Sequence, residues 1–441
     1  MTIAKSRQTR ALVMSTLAFT ICFAVWTIFS IIGIQIKKQL GLNDTEFGLL
    51  VGTPILTGSL VRLVLGVWTD QIGGRIVYVA VMLAAAVATM LLTFATTYEM
   101  FLIAALGVGV AGGSFAVGVA YVSKWYPASQ QGTALGIFGA GNVGAAVTKF
   151  CAPFVMVALG WKAVALVWAA AIAIMAVAFW FMTEDDPSLA ERRRHGHKAV
   201  PFMKQLEPLR HLQVWRFSLY YFFVFGGFVA LALWLPRYLT GNYGMAITTA
   251  GMIGAAYSIP ASVFRALGGW LSDRYGARSI MYVTFSVSAL VLFILSYPPT
   301  DYVVHGMNDT TFSFSMATGP AQFTLLVFVL GFFMSLGKAA VYKHIPVYYP
   351  DHVGSVGGMV GMIGGLGGFI LPILFGALND LTGIRQSCFM LMFVIVVVSL
   401  LWMHFAIRRM EKRQIPELRG PKDLPELAEH GTPATHAASQ A

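Results

Sequence analysis

The sequence predicts an all-α polytopic membrane protein with twelve transmembrane helices in two pseudo-symmetric six-helix halves. Three observations carry that prediction: the composition, the number of long apolar segments and an internal repeat. Of 441 residues, 57% are hydrophobic and only 11% are charged, and the mean hydropathy is +0.72. Such a chain does not fold as a soluble globule. Arg62 is followed by LVLGVWTDQIGGR and Arg265 by ALGGWLSDRYGAR, so Asp70, Gly73 and Arg75 recur as Asp273, Gly276 and Arg278 at an offset of 203 residues. A repeat of that length marks a duplicated unit. With one cation inside an apolar segment of each copy, it points to a transporter whose site lies between the halves.

The elements follow in order. Lys5, Arg7 and Arg10 precede an apolar stretch from Ala11 to about residue 36. That stretch is longer than a signal-peptide core of roughly 7 to 15 residues, so it is expected to be the first helix. Apolar segments at about 47–69, 76–97, 100–123, 132–157 and 162–182 complete six, and residues 1–182 form the expected first half. A polar block, 183–213, is expected to be a linker. The second half, 214–407, holds segments at about 214–236, 248–271, 279–297, 322–345, 354–379 and 386–407. The tail, 408–441, is charged and then rich in Pro and Ala, and is expected to be disordered.

Charge gives the orientation. With both termini and the linker on one side, that side collects 21 of the 30 Lys and Arg, the other side five, and four remain inside spans. The positive-inside rule then places both termini in the cytoplasm, in a multi-pass protein of the cytoplasmic (inner) membrane. The net charge of +11 belongs to these connections and not to a nucleic-acid surface. Cys22, Cys151 and Cys388 all fall in apolar segments with no CxxC spacing, so neither a disulfide framework nor a metal site is expected. The expected partners are the lipid bilayer and a small solute, with no nucleic acid and no cofactor, and the protein is expected to be a monomer.

The four intramembrane cations are Arg62, Lys149, Arg265 and Lys338, and none of the 19 Asp and Glu falls at membrane depth. A charge at the bilayer centre costs about 2.5 to 3.5 kcal/mol on insertion scales and needs a partner or a water-filled cavity. With no carboxylate partner, the simplest partner is an anion from outside. Gly52, Ser59 and Gly66 lie on the Arg62 face, and Gly254, Ala261, Ser262, Gly268 and Gly269 on the Arg265 face. Small residues mark the packed side of a membrane helix, so both guanidiniums should face the bundle interior. There a planar five-donor fork suits a planar oxyanion. Asp70, Gly73, Arg75, Asp273, Gly276 and Arg278 fall in turns and read as conformational, a gating motif and not a substrate site.

A second duplication follows Tyr126-Pro127 and Tyr349-Pro350: GTALGIFGAGNVGAAVTKF and GSVGGMVGMIGGLGGFILP. It aligns Gly141, Asn142 and Gly144 with Gly364, Gly365 and Gly367 at an offset of 223. Glycine density lets helices approach closely. The Asn142 amide is not needed for that and suits contact with an oxyanion. Lys149 follows on the Asn142 face, suited either to snorkelling outward or to lining a pathway. Lys338 shares a face with Gly331, Ser335 and Tyr342, which favours an interior position. No HExxH, no paired intramembrane carboxylates and no Ser, His and acid set at one depth suggest an enzyme. A channel fits the two-copy pattern less well than alternating access does.

The loop signatures GVWTDQIGGR and GGWLSDRYGAR resemble the loop motif of the major facilitator superfamily, after its second and eighth spans. Together with the two arginines, the glycine stretches resemble the paired nitrate signatures of the NarK-type nitrate/nitrite porter family within it. The resemblance implies the major facilitator fold, with Arg62 and Arg265 as anion clamps and Asn142 as a polar contact beside Gly141, Gly144, Gly364, Gly365 and Gly367. It also implies Phe115, in AGGSFA, and Tyr221, in YYFFVFGGF, as walls of the site. The stretches around Lys149 and Lys338 resemble the nitrate/proton symporter subgroup, making these lysines candidates for proton coupling or the transport path. The expected function is nitrate uptake with protons by alternating access, nitrite being a further substrate. A nitrate/nitrite antiporter and, more distantly, an exchanger of another small anion such as an organophosphate remain alternatives.

Overall fold

The computed structural model describes residues 5–126, 128–185, 210–307, 310–348 and 353–414. Eleven helices among them are long and apolar enough to cross a membrane, and Asp44–Ile72, 29 residues long, adds a twelfth. In chain order they are α1 (Lys5–Leu40), α2 (Asp44–Ile72), α3 (Gly74–Phe94), α4 (Tyr98–Ser123), α5 (Ala134–Leu159) and α6 (Trp161–Met182). After the linker come α7 (Leu212–Tyr243), α8 (Ile247–Tyr275), α9 (Ala277–Leu295), α10 (Pro320–Ile345), α11 (Val356–Thr382) and α12 (Ser387–Arg409). Several run past the apolar stretches that announce them. Backbone bonding carries a helix beyond the hydrocarbon wherever a cap is available, and α2 starts at a capping box in which Asn43 Oδ1 accepts from Glu46 N at 2.7 Å and Asn43 N donates to Glu46 Oε2 at 2.8 Å. Most of the 183–213 linker and the tail beyond residue 414 lie outside the described residues.

Between α9 and α10 the chain forms a two-stranded antiparallel hairpin, β1 (Thr300–His305) and β2 (Thr311–Met316), with Tyr302 opposite Phe314 and Val304 opposite Phe312. The alternation of its side chains is short and weak beside the helical signals, so the sequence reads only as a connection there.

The repeated signature forms tight joints in both halves. Gly73 (φ 106°) turns α2 into α3 and Gly276 (φ 85°) turns α8 into α9, a backbone region that favours glycine. Arg75 donates from Nε to the Trp180 carbonyl at 3.2 Å with its guanidinium 4.2 Å from the Trp180 ring centre, and Arg278 donates to the Tyr348 hydroxyl. Asp273 pairs with Lys343 at 2.5 Å, while the Asp70 side chain lies outside what is described.

The two ends of the bundle differ. Away from the signature, α2 meets α11 and α5 meets α8 backbone to backbone. A methyl group on Gly48 would stand 2.1 Å from the Pro372 carbonyl oxygen, one on Gly376 2.1 Å from that of Asp44, and one on Gly251 2.2 Å from that of Lys149. At the signature end, Gly66, Gly136, Gly269 and Gly358, on the same four helices, have no atom of the described residues within 4 Å of that position. Among the described residues the molecule is therefore closed at one end and open at the signature end. Gly66 and Gly269 thus depart from the expectation that the arginine faces are packed throughout: beyond the arginines those faces line open space.

The closed end carries a polar latch between the halves. Asp44 Oδ1 accepts from Lys37 Nζ at 2.8 Å within its own half and from Arg237 Nη2 at 3.2 Å across the interface. Asn379 Nδ2 donates to Asp44 Oδ2 at 3.3 Å. Asp380 accepts from the backbone N–H groups of Asp44 at 3.1 Å and Thr45 at 2.8 Å, and from the Thr45 hydroxyl. The first donors of α2 are thereby capped by a carboxylate of the other half.

Candidate anion-binding site

Both arginines reach the interface between the halves, and each docks on the glycine stretch of the opposite half. Arg62, 8% exposed, donates from Nη1 to the Gly361 carbonyl of α11 at 3.3 Å and from Nε to the Gly112 carbonyl of α4 at 3.4 Å. A methyl on Gly365 would stand 3.4 Å from Arg62 Nη1 and 2.7 Å from Ser59 Oγ. In the mirror arrangement, a methyl on Gly139 of α5 would stand 3.4 Å from Arg265 Nη1. Each arginine therefore lies in van der Waals reach of a glycine on the opposite half's glycine-rich helix. Gly141, Gly144, Gly364 and Gly367 serve helix approach instead, with methyl positions 2.5 Å from Phe19, 2.0 Å from the Thr20 carbonyl, 2.4 Å from Tyr221 and 3.0 Å from Gly226.

Phe115 joins the two cations. Its ring centre lies 5.4 Å from the Arg62 guanidinium carbon and 6.0 Å from that of Arg265, so the two charges share one aromatic ring. Trp26 and Phe225, each 5.6 Å away, complete the cage around Arg62, and Tyr342 stands 5.7 Å from Arg265. Tyr221 touches this wall from behind, stacked on Phe225 at 5.0 Å and edge-on to Tyr342 at 4.9 Å. The nearest aromatic partners thus include Trp26, Phe225 and Tyr342, which the sequence reading did not single out. Tyr342 was within reach of it, four residues past Lys338 and one helical turn along the same face.

Polar capacity is left over. Among the described residues, Arg265 Nη1 and both amide atoms of Asn142 are buried with no hydrogen-bond partner, as is Ser59 Oγ. A buried polar group left unmatched costs about 1 to 3 kcal/mol, and native structures keep few of them. Among the described residues no carboxylate forms an ion pair with Arg62, Arg265, Lys149 or Lys338. The centre therefore holds excess positive charge and unused donors, suited to a small anion.

The helices that supply these groups leave regular α geometry to do so. α4 narrows to a 3₁₀ turn at Val110–Gly113, which presents the Gly112 carbonyl and precedes Phe115. α5 does the same at Ala140–Val143, where Asn142 sits, and α7 widens to a π segment at Phe222–Gly227 around Phe225. α8 breaks just before Arg265. Lys149 is fully buried and donates to the Ala145 carbonyl of its own helix at 2.8 Å, its stem against Gly254 of α8, so it does not snorkel outward. Lys338 is fully buried and donates to the Ala261 carbonyl at 2.7 Å.

Twelve spanning helices in duplicated halves, with an interfacial cationic centre, define a multi-pass membrane transporter of the major facilitator type and not an enzyme. The Major Facilitator Superfamily profile matches residues 14–319 and 238–436. The chain is 42% identical over 427 residues to the probable nitrate/nitrite antiporter NarK1 of Thermus thermophilus, covering 94% of this chain and 95% of that one. It is 33% identical over 378 residues to the probable nitrate/nitrite transporter NarK2 of Mycobacterium tuberculosis, covering 85% and 90%. A bacterial homologue of the human lysosomal transporter Spinster, in an inward-facing and occupied conformation, superposes with a TM-score of 0.69 at 16% identity, over 93% of this chain and 99% of that one. The protein belongs to the NarK-type nitrate/nitrite porter family of the major facilitator superfamily.

Proposed function

We propose that this protein is a secondary active transporter that carries nitrate, with nitrite as a second substrate, across the cytoplasmic membrane by alternating access. The observation that carries the reading is the pair of guanidiniums that both approach the Phe115 ring, with no carboxylate among the described residues to neutralise them and with unused donors at Arg265 and Asn142. Nitrate is planar, with three equivalent acceptor oxygens, and matches forked donors set among aromatic faces. The names of the NarK1 and NarK2 relatives support the same substrate. The halves are 1–182 and 214–407, joined by the 183–213 linker. Both termini and the 408–441 tail are cytoplasmic, so the signature end is the cytoplasmic one and the structure faces inward. The transporter works as a monomer.

Coupling follows from the charges. Closing an empty cavity brings two like charges together in low dielectric, so the loaded carrier moves most readily. We assign net nitrate uptake to symport with protons, with Lys338 and Lys149 as proton carriers on the path because no intramembrane Asp or Glu offers itself. Exchange of nitrate for nitrite is the second reading, favoured by the NarK1 relative's name and by the ease of moving only when loaded. Liposomes containing purified protein separate the two. Nitrate uptake into empty vesicles under an inward proton gradient, lost in a Lys338→Met, Lys149→Met double variant, is the expected result. Uptake only into nitrite-loaded vesicles without a gradient would establish exchange instead, and full gradient-driven uptake by the double variant would remove the lysines from the coupling.

A further inference from the structure

The two arginines are mounted differently. α2 runs unbroken through Arg62, whereas α8 runs in three pieces, Ile247–Ser258, Pro260–Val263 and Arg265–Tyr275. Around the second break Val263 N donates to Ile259 O at 2.9 Å, Phe264 N to Pro260 O at 3.3 Å and Gly268 N to Phe264 O at 3.0 Å. Phe264 falls outside both neighbouring pieces, so the bond a continuous helix would make from the Arg265 N–H to the Ala261 carbonyl is not formed. A carbonyl released at membrane depth needs another donor.

Lys338 supplies it. From α10 its ammonium donates to the Ala261 oxygen at 2.7 Å, the acceptor that the Arg265 N–H would take in an unbroken helix. The ammonium is also fixed 3.3 Å from the centre of the Phe228 ring and 5.9 Å from that of Phe225. Phe225 is the same ring that faces Arg62, so the lysine, the broken turn and the anion site form one contact chain.

We propose that Lys338 is a positioning residue for the second arginine: by occupying the Ala261 carbonyl it keeps α8 broken and so sets where Arg265 stands in the anion site. The Ala261 oxygen is then a two-way acceptor. With Lys338 bound, the turn stays open and Arg265 reaches toward Phe115 and Gly139. With Lys338 removed, the carbonyl takes the Arg265 N–H, the turn closes, and the guanidinium rotates with the backbone that carries it. Such an element, with two discrete arrangements, gives α10 a means of biasing the site without touching the anion. The proposal rests on the reading of the centre as an anion site.

The test is a double-mutant cycle on anion binding to purified full-length protein, with nitrate, nitrite and chloride as probes, for wild type, Lys338→Met, Lys338→Arg, Arg265→Lys and Lys338→Met with Arg265→Lys. For the anion the wild type binds most tightly, Lys338→Met is expected to weaken binding on the order of ten- to a hundred-fold, the size of a charge-assisted hydrogen bond. Lys338→Arg, which still donates, is expected to restore most of the affinity. The double variant is expected to bind no more weakly than Arg265→Lys alone, because the lysine acts through the arginine. Additive losses, or unchanged affinity in Lys338→Met, overturn the proposal. If Lys338→Met does not fold, Lys338→Gln enters the same cycle with the same criterion. A wild type that prefers chloride to nitrate and nitrite defeats the substrate reading while leaving the cycle readable; one that binds none of the three defeats both.

Discussion

Arg62→Lys and Arg265→Lys are each expected to lower nitrate uptake on the order of ten- to a hundred-fold, through different parameters. Each loses a charge-assisted, forked contact of about 1.5 to 3 kcal/mol, while a lysine keeps the charge and not the planar geometry. Arg265 keeps Nη1 unpartnered, so its replacement should act mainly on nitrate affinity and appear as a raised KM. Arg62 already spends Nη1 on Gly361 and Nε on Gly112, in opposite halves. Its replacement also removes a tie between the halves and should lower the maximal rate as well. Initial-rate uptake over a range of external nitrate separates the two effects. Equal and purely KM-type losses in both variants would mean that the tie to Gly361 plays no part in the cycle.

Opening of the closed end is the second large expected effect. The Asp44 side chain is 18% and the Arg237 side chain 23% exposed, so their ion pair is less screened than a surface pair. Asp380 caps α2 from the other half, an interaction of a kind worth about 1 kcal/mol. In Asp44→Asn the links to Lys37 and Arg237 weaken together. A shift of about 1.4 kcal/mol changes the ratio of states tenfold. A single cysteine placed at buried Thr53, with the three native cysteines replaced, should react with a membrane-impermeant maleimide from the latch side on the order of ten times faster in Asp44→Asn. Asp380→Asn should give a smaller increase, and Asp273→Asn, at the other end, none. A labelling rate that Asp44→Asn leaves unchanged would show that the helix seam alone holds this end shut.

Some of this was legible in the sequence for definite physical reasons. Twelve apolar segments of bilayer length are hard to hide, and a charged residue inside one needs an explanation, so Arg62 and Arg265 stood out at once. Glycine density announced close helix approach without saying which neighbour would come near. Only the structure shows that Gly361 and Gly365 receive Arg62 while Gly139 receives Arg265. The departures from α geometry were not legible. The π segment at Phe222–Gly227 carries no proline, and the break before Arg265 is marked only by Pro260, five residues before the helix resumes at Arg265. Phe225 is hidden by number, among 32 Phe, whereas Tyr342 is marked by its place on the Lys338 face. Asp380 was hidden by distance, since the helix it caps begins 336 residues earlier in the chain.

The four glycines facing open space at the signature end have a consequence that stability measurements alone will miss. In this state Gly66, Gly136, Gly269 and Gly358 are expected to tolerate a side chain, because no atom of the described residues stands where it would go. On the alternating-access reading, closure of the signature end brings those faces as near to each other as α2 and α11 now are around Gly48 and Gly376, where a single methyl group would already collide with backbone. Bulk added there leaves the fold intact and jams one phase of its motion. These glycines act as clearances in a moving joint: their worth lies in the contact they have yet to make.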